Sequence, residues 1–482
     1  MPDDPMLHDP MPLEPMPPEP MPLPLGVTAA GQVLNELKPE DWKNIDEAPA
    51  AARDRGREKE MLVFAEGVDP MDLKSAGWGI VFARDADAAL KDALHPLIEH
   101  RRQQVNSDTL FQLFDGARGI RNGESARGWV TRNGADFMEV EPSNGVPLYL
   151  LLVGSPDQIP FDFQYALDSY WNVGRLDFDT PAEYATYARN VIAYEKAAQI
   201  ANKKLAVLWN VKNPGDPATG LLHNLVARPL IDGQGAVKPL GSKAGFALEP
   251  VLAEAATKAK LLDILKGPQI PALLYTGSHG MAFPAADEAT RRERQGALLG
   301  QEWSRGGPLT EAQYLTGAEV LAQANVSGMI HFLFACYGGG CPAVDNYQRG
   351  VDHLPVPLMP KPTTARVPQA MLQKGALAVL AHVDRAWSYG FQSATGKGQY
   401  QGFRSVMDRI LNGERIGQAT DAFNQRWGAL SNELLDLTRR RENGDPIPDT
   451  ALVNRWVARN DARNYIILGD PAVRLRVEDM TP

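Results

Sequence analysis

The sequence predicts an α/β protein: a three-layer sandwich with a mostly parallel sheet covered by helices on both faces. Three observations predict it. Short, continuously apolar runs recur along the chain, as in WGIVFA (78–83), PLYLLLV (147–153), KLAVLW (204–209), PALLYTG (271–277) and MIHFLFAC (329–336). Amphipathic stretches with apolar residues at helical spacing stand between them. Strands apolar at every position are buried on both faces, the pattern of parallel pairing with crossover helices.

The elements follow in order. Residues 1–26 form an irregular Met-Pro tract with acidic insertions. Proline fixes φ and removes a backbone donor, so an extended, unpacked leader is expected, or else a docking or removable segment. Residues 34–60 are polar and charged, read as short helix and linker, and the disordered leader and linker together are placed at 1–45. After strand 78–83, Ala88, Leu90, Ala93, Leu94, Leu97 and Ile98 fall at helical spacing behind an aspartate N-cap. Strand 147–153 leads to a helix over 180–201, with Pro181 in its first turn. Strands at 204–209, 271–277, 329–336, 376–382 and 465–468 follow. Helices are expected at 251–266, 311–323, 366–374, 395–412, 416–429 and over much of 430–460.

At 482 residues the chain exceeds one ordinary core. Two units are expected, an N-terminal α/β unit at 46–202 and a second at 203–482. The formal net charge of −10 argues against a non-specific nucleic-acid binder. The basic runs at 291–294 and 439–441 read as solvated faces. Only Cys336 and Cys341 are present, which excludes a disulfide-stapled scaffold and favours a reducing compartment, although the two could pair. No signal peptide or membrane-spanning run is visible, so a cytoplasmic protein with no membrane partner is expected.

The chemistry gathers at two strand ends. In open α/β sheets, functional groups stand beyond the carboxyl ends of the strands. PALLYTG runs into Ser278-His279-Gly280, and MIHFLFA runs into Cys336-Tyr337-Gly338-Gly339-Gly340. A thiol attacks as thiolate and needs a nearby base, and histidine is the side chain that can take its proton and return it to a leaving amine. Cys336 is therefore the candidate nucleophile and His279 its acid/base partner, with the N–H groups of Gly280 and Cys336 as oxyanion donors. Taken singly, a cysteine closing an apolar strand reads as a small buried hydrophobe and His-Gly as a turn. The pair, 57 positions apart and each at a strand end, points to catalysis. Gly338–Gly340 is not followed by GK[ST], no GxSxG occurs, and His331, His353 and His382 lack HExxH spacing and read as core or loop histidines.

TGSHG and FLFACYGGG resemble the histidine and cysteine blocks of the caspase-like clan of cysteine peptidases, whose histidine lies about 50 residues upstream of the cysteine. LLLVGSPDQIPF (151–162), VGRLDFDTPAEYATYARNVIAYE (173–195), GERIGQA (413–419) and ILGDPAVRLR (467–476) are similar to its gingipain-like branch, over roughly residues 75–476. The resemblance implies a caspase-like sandwich of two subdomains, the first without catalytic groups, and peptide-bond hydrolysis by a Cys–His dyad on a protein or peptide substrate. It implies no cofactor, although related enzymes can bind structural calcium, and regulation by an activating partner or by processing. Trp387 resembles the tryptophan that walls the specificity pocket, with an ordinary core aromatic as the alternative. Asp168 lies where enzymes that cut after basic residues place an acid, a slot Asp162 or Asp384 fit as well. Where the family carries an acid that orients the histidine, this chain has Ser155, with Asp157 two residues on. That role is left unassigned, and a silent caspase-like scaffold is the rival reading.

Overall fold

A computed structural model of the chain describes residues 20–44, 67–137, 140–350, 354–393 and 395–481. Residues 1–19 of the Met-Pro tract, most of the expected linker and His353 lie outside them.

Burial dictates the architecture. Trp78–Phe82, Tyr149–Val153, Asn172–Leu176, Pro271–Gly277, Ile330–Phe334, Ala378–His382 and Tyr465–Gly469 are buried at every position. They join Phe111–Phe114, Lys203–Asn210 and Ala247–Leu252 in one ten-stranded sheet. Across it the order is Phe111–Phe114, Trp78–Phe82, Tyr149–Val153, Asn172–Leu176, Tyr465–Gly469, Ala378–His382, Ile330–Phe334, Pro271–Gly277, Lys203–Asn210 and Ala247–Leu252. The four strands on one side of Tyr465–Gly469 pair parallel with one another, as do the five on the other. Tyr465–Gly469 itself runs antiparallel to Ala378–His382. The boundary expected between residues 202 and 203 thus falls inside a continuous sheet, and the C-terminal strand sits between Asn172–Leu176 from the first part of the chain and Ala378–His382 from the second.

The helices start where their caps direct. Ala88–Val105 opens on Asp87, whose side chain accepts the N–H of Ala89, and Pro181–Lys196 opens on a Thr180/Glu183 capping box with proline at its first turn. Arg439, Arg440 and Arg441 close the helix Asp421–Glu442, where cations complement the exposed carbonyls.

The GDPAVRLR block is structural. Asp470 is fully buried, accepting from Trp78 Nε1 (3.0 Å), Arg101 Nε (2.7 Å) and the Ala472 N–H (3.0 Å). Arg101 also makes two bonds to Glu195, at 2.7 and 2.8 Å. In the GR segment, Arg175 is buried against Gln164 Oε1, the Gly154 carbonyl and the Ile159 carbonyl, and so folds the VGSPDQIP turn.

The expectation of an unpacked leader through residue 45 is corrected for its described part. Leu25 and Val27 have no exposed surface, and Gly26–Thr28 is a strand that pairs parallel with Gly280–Ala282 in a small second sheet. The segment is extended, as its prolines require, but its donors and acceptors are paired.

Among the described residues no helix is long and apolar enough to cross a membrane, and no group of three or more His, Cys, Asp or Glu side chains is placed to hold a metal ion.

Candidate active site

Four adjacent strands, Lys203–Asn210, Pro271–Gly277, Ile330–Phe334 and Ala378–His382, deliver their carboxyl ends to one edge of the sheet. The loops that follow carry Asp216, His279, Cys336 and Ala386–Ser388.

The histidine and cysteine loops touch through their backbones. The Ser278 N–H donates to the Phe334 carbonyl at 3.2 Å. A Cβ on Gly280 would stand 1.7 Å from the Cys336 carbonyl oxygen, so only glycine allows this approach. The N–H groups of Gly280 and Cys336, expected as oxyanion donors, converge on one acceptor: each donates to the carbonyl oxygen of Leu25 at 3.1 Å.

His279 is fully buried, and its Nε2 lies 2.8 Å from Asp216 Oδ2. A carboxylate only accepts, so Nε2 carries the proton and Nδ1 presents its lone pair. Nδ1 is buried and has no hydrogen-bond partner. Asp216 caps the helix Pro217–Leu222, taking the N–H (2.9 Å) and hydroxyl (2.7 Å) of Thr219 on the same oxygen. Burial pushes the Asp216 carboxyl up, but the attraction of His279 in its protonated form and the bonds from His279 and Thr219 outweigh it and hold it at about 2. The indole of Trp303 meets the His279 ring edge-on, centroids 5.7 Å apart. Trp303 belongs to the stretch that follows Arg291, between His279 and Cys336. Leu298, Leu299 and Trp303 there are buried.

Asp216 is the group sequence reasoning missed. The acid facing the histidine does not come from the Ser155 slot, and Asp157 is engaged at the surface with Lys361 at 3.0 Å. A signal existed: Asn213-Pro-Gly-Asp-Pro follows the strand end at Asn210 after two intervening residues, and aspartate before proline is an N-cap pattern.

Cys336 is fully buried. Its Sγ accepts the Ala386 N–H at 3.2 Å and lies 3.5 Å from the Ala386 carbonyl. Burial pushes its thiol up, against the lowering pull of the Ala386 N–H and of Arg385. The flanking backbone is left-handed at two non-glycine residues, Tyr337 (φ 58°) and Asp384 (φ 65°), tied together by the Tyr337 N–H on the Asp384 carbonyl (2.6 Å). The Asp384 carboxylate takes the Arg385 N–H and Asn346 Nδ2, each at 2.8 Å, while burial and then Asp345 push it up to about 6. Cys336 and Cys341 are both free thiols.

Trp387 is fully buried, packed 5.0 Å from the Tyr347 ring in an apolar cluster with Leu434 and Trp456. Its side chain is therefore a core aromatic, while its backbone lies opposite Pro24. Asp168 is not brought to this group. It lines a crevice with Leu380, Thr420, Phe423, Asn424, Tyr465 and Ile467, where burial pushes its carboxyl well above the carboxylate range. His331 and His382 are buried against Thr276 Oγ1 (2.8 Å) and the Asp461 carbonyl (3.1 Å), as core histidines.

No family model matches the chain, and no curated protein matches it. Solved structures similar to it include a protease, with a TM-score of 0.41 and 13% identity, covering 83% of this chain and 79% of that one. Two structures of the Saccharomyces cerevisiae separase–securin complex have TM-scores of 0.31 and 0.30 at 12% identity. Each covers 67% of this chain, which spans only 15% and 16% of the matched chains.

Proposed function

We propose that the chain is a cysteine-type endopeptidase of caspase-like architecture. The observation that carries this reading is the buried Asp216–His279 pair with its free Nδ1, on a loop whose backbone packs against the loop of Cys336 at the ends of two adjacent strands. Nδ1 takes the thiol proton, Cys336 attacks the substrate carbonyl, and the Gly280 and Cys336 N–H groups hold the oxygen as it becomes negative. The imidazolium then protonates the leaving amine, and water releases the acid. Asp216 acts through His279, fixing its tautomer and stabilising its charge. The raised thiol makes this base necessary, since without it little thiolate forms.

On this reading the reacting groups all lie within 203–482, residues 46–202 serve as the non-catalytic half, and the substrate is a protein or peptide. Two free cysteines suit a reducing cytoplasm, where such an enzyme has to be restrained by a partner or by processing.

The test is a digest of a mixed peptide library by the full wild-type chain and by Cys336→Ala. Cleavage by the first and none by the second is expected. Equal cleavage by both would overturn the assignment of the nucleophile. No cleavage by either would favour the silent scaffold, which the full burial of Cys336 also suits.

A further inference from the structure

The segment lying across this site belongs to the chain itself. Leu23, Pro24 and Leu25 run antiparallel to Ala386, Trp387 and Ser388. The Leu25 N–H donates to the Ala386 carbonyl (2.9 Å), the Ser388 N–H donates to the Leu23 carbonyl (3.0 Å), and the Leu23 N–H donates to Ser388 Oγ (3.0 Å). Pro24 falls opposite Trp387 at the pair that exchanges no hydrogen bonds, the position in such a ladder where a missing donor does no harm. The next carbonyl, that of Leu25, takes both N–H groups of the oxyanion site. The next residue, Gly26, lies against the thiol, since a Cβ there would stand 2.9 Å from Cys336 Sγ and 2.4 Å from Leu34 Cδ1. One peptide bond is therefore held with its carbonyl oxygen on two amides and its amine-side residue on the sulfur. This is the arrangement a cleavable bond requires.

We propose that Leu25–Gly26 is the chain's own scissile bond, and that its cleavage by Cys336 frees a cleft for peptides with an apolar residue before glycine. The proposal rests on the peptidase reading above. His279 Nδ1 takes the proton from Cys336 Sγ, and the sulfur forms a bond to the Leu25 carbonyl carbon. The bond from that carbon to the Gly26 nitrogen breaks, and the imidazolium proton passes to the nitrogen, which becomes a new amino terminus. Water then adds to the Leu25–Cys336 thioester, giving its hydroxyl to the Leu25 carboxyl and its proton, through His279, to the sulfur.

The two products are held unequally. Gly26–Thr28 stays paired with Gly280–Ala282, and the chain folds back through bonds from the Thr28 N–H to the Gln32 carbonyl and from the Leu34 N–H to the Gly26 carbonyl. The leader side is held by the short ladder, by contacts of the Pro20 carbonyl with Tyr389 and Asn454, and by Met21 and Leu23 packed against the two apolar clusters, with no strand of its own in either sheet among the described residues. Cutting the bond separates that side from its anchor in the sheet, so the leader dissociates and the new terminus remains. Leu25 is fully enclosed, and a charged side chain there would lose its hydration without a partner, which sets the preference for an apolar residue. The contact of Gly26 with the sulfur sets the preference for glycine.

The test follows the full-length chain by intact mass and amino-terminal sequencing. Wild type should lose everything before Gly26, giving Gly-Val-Thr-Ala, at a rate independent of protein concentration. Cys336→Ala and Gly26→Val should keep the leader. The processed enzyme should then cut Met-Pro-Leu-Pro-Leu-Gly-Val-Thr between leucine and glycine at least ~100-fold faster than the same peptide with arginine before the glycine. A wild-type chain that hydrolyses library peptides yet keeps its leader would overturn this proposal and leave the peptidase reading standing. So would release of the leader from Cys336→Ala, or a rate that rises with protein concentration. An intact leader with no peptide hydrolysed would end both.

Discussion

Asp216 Oδ2 and His279 Nε2 meet at 2.8 Å inside the protein, and this one contact sets which imidazole nitrogen is free to act. Because Nε2–H is committed to the carboxylate, Nδ1 is the nitrogen that keeps a lone pair, and it is the base in the proposed reaction.

Replacing Asp216 by asparagine keeps the volume and removes the charge. The imidazole then loses its fixed tautomer and the stabilisation of its cation, so kcat should fall about 10³–10⁴-fold with KM nearly unchanged. A merely structural aspartate would alter the melting temperature alone and leave kcat per folded molecule intact. Steady-state kinetics beside thermal unfolding separate the two.

The same pair links stability to pH. The Asp216 carboxyl is held at about 2 in the folded chain, below its ordinary value near 4. A depressed acid contributes stability that is fully present above the unfolded value and is lost as pH falls through the folded one. The wild type should therefore exceed Asp216→Asn by about 2 kcal/mol at neutral pH, with the gap closing between pH 4 and 2. Urea unfolding of both proteins across that range checks it, and a constant gap would refute the linkage.

Gly280 is set by contact with the cysteine loop. Gly280→Ala places a methyl group 1.7 Å from the Cys336 carbonyl oxygen, against backbone that cannot turn away. The two loops must part, costing about 1–3 kcal/mol and moving both oxyanion donors. Both the melting temperature and kcat should drop, the second by more than the lost stability explains.

Far from the site, Asp470 joins the C-terminal strand to Trp78 and Arg101. Asp470→Ala leaves the Arg101 guanidinium buried with Glu195 as its remaining carboxylate, and should cost about 3–5 kcal/mol. A shift in the urea midpoint without change in kcat is the expected reading.

The sequence revealed what continuous apolar runs and strand ends can reveal. The runs at 271–277 and 329–336 place His279 and Cys336 side by side, because adjacent parallel strands deliver their loops to one edge. Other strands were hidden by their chemistry. Asn172–Leu176 carries Gly174 and Arg175, and the guanidinium is tolerated inside only because a glutamine and two carbonyls receive it. Ala247–Leu252 is an edge strand containing Glu249 and Pro250, largely unburied, so it reads as the start of the following helix. Asp216 showed in the sequence only as an N-cap, because it reaches His279 across 63 positions through the neighbouring strand. In its described part, residues 20–26, the Met-Pro tract is extended as its prolines signal. That such backbone would be paired required knowing that its lone donors fall opposite Ala386 and Ser388.

The claim on which all this depends is that Cys336 is a nucleophile activated by His279. Its most direct measurement is the intact mass and peptide map of the chain after exposure to a peptidyl acyloxymethyl ketone ending in leucine. One adduct on Cys336 is predicted for wild type, slowed at least ~100-fold in His279→Ala and absent in Cys336→Ala. Labelling of Cys341 instead, or of Cys336 at an equal rate without the histidine, would contradict it.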